Sequence, residues 1–158
     1  MRNATSASHR ASLAVASIRY GAVGPRFFTP DEANRALDEV RPAAERLVAV
    51  RQRMRELEGT QASLITAIGG NGGGYAASDL NEAQTELQGL IEAARACLQR
   101  LEELGVVVKD MDTGLLDFPA ERDGEEVELC WHVGEAEVAY WHRPGEGFAG
   151  RKPVDWGE

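Results

Sequence analysis

The residue types that bind metals or move protons gather in the last third of the chain: Asp117, Cys130, His132, Glu135, Glu137, His142 and Glu146. Imidazole, thiolate and carboxylate together form the donor set of a zinc-class ion. A histidine held by a carboxylate is also an acid–base pair, and a cysteine beside a histidine is a nucleophile pair. Spacing narrows these options. No two of the seven have the separation of a recognised metal motif. With a two-residue turn after the first histidine, His132 falls opposite Glu137 as a surface cross-strand pair. His142 then falls on the face of Leu129, Trp131 and Tyr140, so the two histidines point to opposite faces. Asp117, Glu135 and His142 remain as the metal or acid–base candidates. Cys130, between Leu129 and Trp131, reads as a packed and inert thiol.

The aromatic residues Phe118, Trp131, Tyr140, Trp141 and Phe148 admit two readings. They line a small-molecule pocket in which Arg151 and Lys152 receive an anion, or they form the core of a sheet packed on helices. The second reading needs fewer assumptions. The candidate binding surface is accordingly Asp117, Glu135, Tyr140, Trp141, His142 and Arg151.

The elements that must position these residues follow from periodicity. Thr29-Pro30-Asp31-Glu32 is a helix start, with Thr29 as cap, Pro30 in the first turn and Glu32 closing a capping box. Phe28 is placed to staple the chain against the first turn. Apolar residues then recur at helical spacing from Ala33 to Ile68. Pro42 interrupts them and predicts a break near Arg41, giving helices over 30–41 and 42–68. Leu80, Ala83, Leu87, Leu90, Ala94, Cys97, Leu101 and Leu104 alternate three and four apart, a heptad seam predicting a helix over 79–104 that Gly105 ends. The glycines between 69 and 74 lack the Lys-Ser/Thr of a phosphate loop and read as a turn. Gly59 and Gly89 fall at one level of the resulting hairpin, where a close backbone approach is one reading. Beyond Val106 the period changes to two, with strands expected at 106–109, 115–118, 126–133 and 138–142.

The predicted fold is α+β: a long, coiled-coil-like antiparallel helical hairpin with a small antiparallel β-meander, in one domain over 27–154. Residues 1–26 contain arginines and no acid and read as a disordered or mis-started extension, and 155–158 as a tail. The net charge of −9 argues against a nucleic-acid partner. No apolar run is long enough to span a bilayer. Two cysteines without a Cys-x-x-Cys suit a reducing, cytoplasmic setting. Two helices and a small sheet leave apolar seam uncovered, which predicts a homodimer through the helices.

FTPDEANRAL at 28–37, LEELGVVVKDMDTGLLDFPA at 101–120 and LCWHVGEAEVAYWHRPGEGFAGRKPV at 129–154 resemble the uncharacterised prokaryotic domain-of-unknown-function family 2203. The resemblance spans about 27–154. It rests on Asp117, Phe118, Pro119, Cys130, Trp131, Gly134, Glu135, Trp141, His142, Phe148, Gly150 and Arg151, while His132 stands where the family has a basic Arg or Lys. It implies a bacterial or archaeal cytosolic protein and supplies no activity, cofactor or substrate. The expected function is a non-catalytic binding or assembly module. The alternative is a small metal-binding protein or hydrolase-like enzyme using Asp117, Glu135 and His142.

Overall fold

The computed structural model describes residues 26–70 and 73–156; residues 1–25 of the expected 1–26 extension, the centre of the glycine turn, and 157–158 of the expected tail lie outside them. Two helices pack as a hairpin, α1 (Pro30–Gly69) and α2 (Gly73–Glu103), followed by five antiparallel strands in sequential order. These are β1 (Val107–Asp110), β2 (Leu115–Arg122), β3 (Glu125–His132), β4 (Tyr140–His142) and β5 (Lys152–Pro153). The architecture is therefore α+β with a helical hairpin. No described helix is long and apolar enough to cross a membrane.

The helix start is built as the sequence predicts. Glu32 N–H donates to Thr29 Oγ1 at 3.2 Å, and Thr29 N–H donates to Glu32 Oε2 at 2.9 Å. The predicted break at Pro42 does not occur, and α1 is one helix. Pro42 lies on the exposed side, where water can satisfy the carbonyl that its missing N–H leaves free. The buried stripe Leu37, Val40, Ala44, Leu47 continues across it, so packing outweighs the lost hydrogen bond. α2 begins at Gly73, six residues before the expected start, so Asp79 sits inside the helix and caps nothing. Its end is a Schellman motif: Val106 N–H bonds Leu101 O, Gly105 N–H bonds Glu102 O, and Gly105 has φ +86. A Cβ added at Gly59 or Gly89 would meet nothing within 4 Å, so no close backbone approach is built there.

Phe28 does more than staple a turn. Its N–H donates to Pro119 O at 2.7 Å, and its ring meets Phe118 edge to face at 5.3 Å. This contact explains why Pro119 does not end β2, which runs on to Arg122. In an antiparallel strand a residue's N and O point to the same side. The imino nitrogen of Pro119 therefore faces away from β3, where no ladder bond is required.

Alternate residues of β2 and β3 face opposite ways. Leu116, Phe118, Ala120, Val127, Leu129 and Trp131 pack with Ala33, Leu37, Val40, Leu47, Cys97 and Leu101 in one core. The other face is also covered, by the segment after β4, and there Asp117, Glu128 and His142 are buried. At the β1–β2 turn Gly114 has φ +67, and a Cβ on it would overlap Val133 and come within 2.9 Å of Val48. Gly114→Ala is expected to cost about 2–4 kcal/mol, read from urea unfolding. A cost below half a kcal/mol, estimated on the same scale of surface substitutions, would show that the turn adapts freely.

Candidate functional site

Three adjacent strands bring polar side chains to one place on the covered face. Asp117 lies opposite Cys130 in the β2–β3 pair, and Glu128 lies opposite His142 in the β3–β4 pair. Period-two alternation puts all four on the face away from the helices. Asp117 and His142 are each 2% exposed, Glu128 8%, and Cys130 is fully buried. His142 Nε2 stands 3.1 Å from Asp117 Oδ1. Its Nδ1 stands 2.9 Å from Arg143 O and 3.5 Å from Glu128 Oε2. Lys109 Nζ bridges the two carboxylates, 3.6 Å from Asp117 Oδ2 and 3.8 Å from Glu128 Oε1.

Both ring nitrogens of His142 thus face acceptors. A neutral ring donates one N–H only. With Nδ1–H donated to the carbonyl, the Nε2 lone pair faces a carboxylate oxygen, and two acceptors meet. Burial, and next the Asp117 charge, push Glu128 above the ordinary carboxylate range, while Lys109 and His142 pull the other way. Burial and the Asp117 charge push the Cys130 thiol up to about 12, which leaves it a poor nucleophile. Lys109, Asp117, Glu128 and His142 floor a pocket of about 170 Å³ that Leu115, Gly145, Gly147 and Phe148 complete.

Of the residues expected to act together, the structure brings Asp117 to His142 and takes Glu135 elsewhere. Glu135 Oε1 is 2.6 Å from the Arg151 guanidinium, and its other oxygen accepts from His132 N–H at 2.9 Å. Arg151 lies over Tyr140 at 4.1 Å and Phe148 at 4.6 Å. Asp117, Glu135 and His142 therefore do not form one acid–base or metal set. His132 pairs with Glu135 at 3.7 Å and not with Glu137. The two histidines share the covered face of the sheet, contrary to the expected opposition, and His142 does not share the face of Leu129 and Trp131. The cause is the connection between β3 and β4, which spans 133–139 where a two-residue turn was expected. Glu146 accepts from Arg143 N–H and pairs with Lys152, both at 2.9 Å. That role is a turn brace, and it holds this carboxyl below its ordinary range.

Trp141 faces the helix side, opposite Leu129. Arg122, Lys152 and Arg143 surround its ring at 4.7, 4.9 and 5.9 Å and line a second pocket of about 320 Å³ with Asp123 and Glu125. Its cations are partly neutralised, Arg122 by Asp155 and Lys152 by Glu146.

Sequence reasoning passed over Glu128 and Lys109. Glu128 carries the period-two signal, two residues before Cys130. Lys109 is the one charged residue among the valines of the first expected strand. In an acidic chain neither signal stands out.

The family model for an uncharacterized conserved protein, DUF2203, matches residues 26–154. The chain belongs to the DUF2203 family. That match takes in both helices, all five strands and every residue of the polar cluster. No curated protein and no solved structure matches the chain. The chemistry of this DUF2203 chain must therefore be argued from its own geometry.

The raised Glu128 gives a pH signature. A folded-state value above the ordinary 4.5 means that the folded chain holds this proton more tightly than the unfolded chain. The associated stability is fully present below the unfolded value and is lost as pH rises through the folded one. Glu128→Gln, which stays neutral, is expected to be more stable than the unaltered chain at pH 7, with the difference closing at pH values below about 4.5. Urea unfolding across pH 4–8 checks this, and a wild-type advantage that grows with pH would contradict it.

Proposed function

We propose that this chain is a small-ligand binding module whose working site is the pocket over Lys109, Asp117, Glu128 and His142. One observation carries the reading: four neighbouring strands each place an ionisable side chain on the floor of the same pocket, with three of these groups buried. Burying ionisable groups costs several kcal/mol each before their mutual attraction offsets it, and a packed apolar cluster is often as stable. Stability alone gives little reason for such a floor. The volume of about 170 Å³ lies below the roughly 300–1,000 Å³ of drug-sized sites, so the occupant has few non-hydrogen atoms. Lys109 and His142 supply donors, Asp117 and Glu128 acceptors, and Gly145 and Gly147 let backbone lie close to the pocket. Nucleophilic catalysis is the weaker reading, because the Cys130 thiol resists ionisation. The free cysteines Cys97 and Cys130 suit a cytoplasmic setting.

The test separates site from scaffold. Lys109→Met, Asp117→Leu, Glu128→Met and His142→Leu together are expected to leave stability unchanged or raise it by about 1–4 kcal/mol. The same variant is expected to lose the NMR shifts that small carboxylates and amines induce at Gly145 and Gly147 in the unaltered chain. A collapse of stability would make the cluster structural, and an absence of shifts in the unaltered chain would remove the binding reading.

A second observation favours assembly through the hairpin. Away from the sheet, Leu64, Leu80, Leu87, Leu90 and Ile91 are only half-buried, and Ile65 is 60% exposed. Residues 46–55 of α1 hold four arginines and no acid, and 79–92 of α2 hold four acids and no base. A second copy laid two-fold against the hairpin would set α1 on α2 with both apolar stripes covered and opposite charges facing. Light scattering is expected to give a dimer at micromolar concentration that Leu90→Asp converts to monomer; a monomer at high concentration in the unaltered chain would end this reading.

A further inference from the structure

We propose that Asp117, Cys130 and His142 bind one zinc-class divalent ion at the floor of the pocket, with an open coordination position toward it. The inference rests on the pocket being a binding site and adds what occupies it.

One ligand atom from each of the three side chains, a carboxylate oxygen, the thiol sulfur and an imidazole nitrogen, lies within 4.8 Å of the others, and all three residues are buried. They come from β2, β3 and β4 in neighbouring register positions, so the sheet itself sets their spacing. The Nε2 to Oδ1 distance of 3.1 Å is close to the roughly 3.3 Å edge of a tetrahedron with ligand bonds of about 2.0 Å. His142 has the outer arrangement that metal-bound imidazoles have. Its Nδ1 is held by Arg143 O with Glu128 beside it, which fixes the tautomer and aims the Nε2 lone pair at Asp117. Lys109 touches Oδ2 of Asp117 and leaves Oδ1 free for the ion.

Charge also balances. A divalent ion neutralises the Asp117 carboxylate and a Cys130 thiolate, and Lys109 neutralises Glu128, so the buried cluster carries no net charge. A thiol that resists ionisation alone is deprotonated outright when it coordinates a metal, and its proton leaves to solvent on binding. Asp117 and His142 line the pocket and Cys130 does not. The fourth position therefore opens to the cavity, where water or a small anionic group can bind, as in zinc sites with three protein ligands. The competing account of the same geometry is a proton shared between His142 and Asp117, which needs no metal and no role for Cys130.

Untagged full-length chain, stripped with chelator, is titrated with Co²⁺ and then with Zn²⁺ against a chromophoric competitor. One Co²⁺ per chain is expected, with the near-ultraviolet thiolate charge-transfer band and the visible intensity of tetrahedral coordination. Cys97→Ser retains the band. Cys130→Ser loses it and binds Zn²⁺ at least about 100-fold more weakly, beyond the loss typical of an outer partner. The spectrum of the unaltered chain decides the question even if a variant fails to fold. Absence of the band at excess Co²⁺, or a band removed by Cys97→Ser and kept by Cys130→Ser, overturns the proposal. Fragment-induced shifts at Gly145 and Gly147 in the stripped protein distinguish a failed metal site from a failed pocket: if they persist without the band, only the metal assignment falls.

Discussion

The register of β2 on β3 is the constraint on which the rest of this structure depends. Asp123 and Gly124 both have positive φ, 53 and 80, and join the strands so that Arg122 pairs with Glu125. Two residues with positive φ make the tight hairpin turn whose twist matches the flanking strands. From that turn eight residue pairs follow without a slip. Leu116, Phe118, Ala120, Val127, Leu129 and Trp131 thereby reach the helices, and Asp117, Glu128 and Cys130 reach the other face. A slip of one residue would turn one strand over relative to the other, driving either Asp117 or both Glu128 and Cys130 into the apolar core. The core and the candidate site are thus two consequences of one turn.

The other half of the site depends on α1. The segment after β3 is pinned by two side chains of that helix. Arg41 donates to Glu135 O at 2.9 Å and to Ala136 O at 2.8 Å, while its guanidinium lies 5.3 Å from the Trp131 ring centre. Asn34 exchanges two hydrogen bonds with Val138, at 2.7 and 3.2 Å. These contacts give the loop carbonyls partners on the helix, and they fix where β4 begins. His142 falls opposite Glu128 for that reason. The position of the histidine ring is set by a helix on the far side of the sheet.

The covered polar face also explains the arrangement of charge. Lys109 stands between Asp117 and Glu128, and Arg151 stands with Glu135, so each of these carboxylates has a cationic neighbour. The segment 143–151 completes this face, with Phe148 against His132 at 5.9 Å and Arg151 between Tyr140 and Phe148. Arg151 occupies the guanidinium position over two aromatic rings, where stacking and a carboxylate partner act together. Glu135 is consumed by that arrangement and is thereby separated from His142.

The amino-acid sequence by itself determined the helical hairpin, the cap that opens α1, the glycine that ends α2, the antiparallel strands and the strand face on which each residue of β3 lies. These are local consequences of period, caps and turns, which a chain encodes in neighbouring residues. It also marked Asp117 and His142 as residues that chemistry could use. Only the tertiary structure decided that α1 continues through Pro42, because the exposure of that side depends on what packs opposite it. Only the structure decided that β2 continues through Pro119, because Phe28 supplies the partner on the outer edge. Glu128 and Lys109 entered the cluster, and Glu135 left it, through the length and anchoring of the 133–139 connection. Those contacts join residues about a hundred positions apart, and no periodicity along the chain records them.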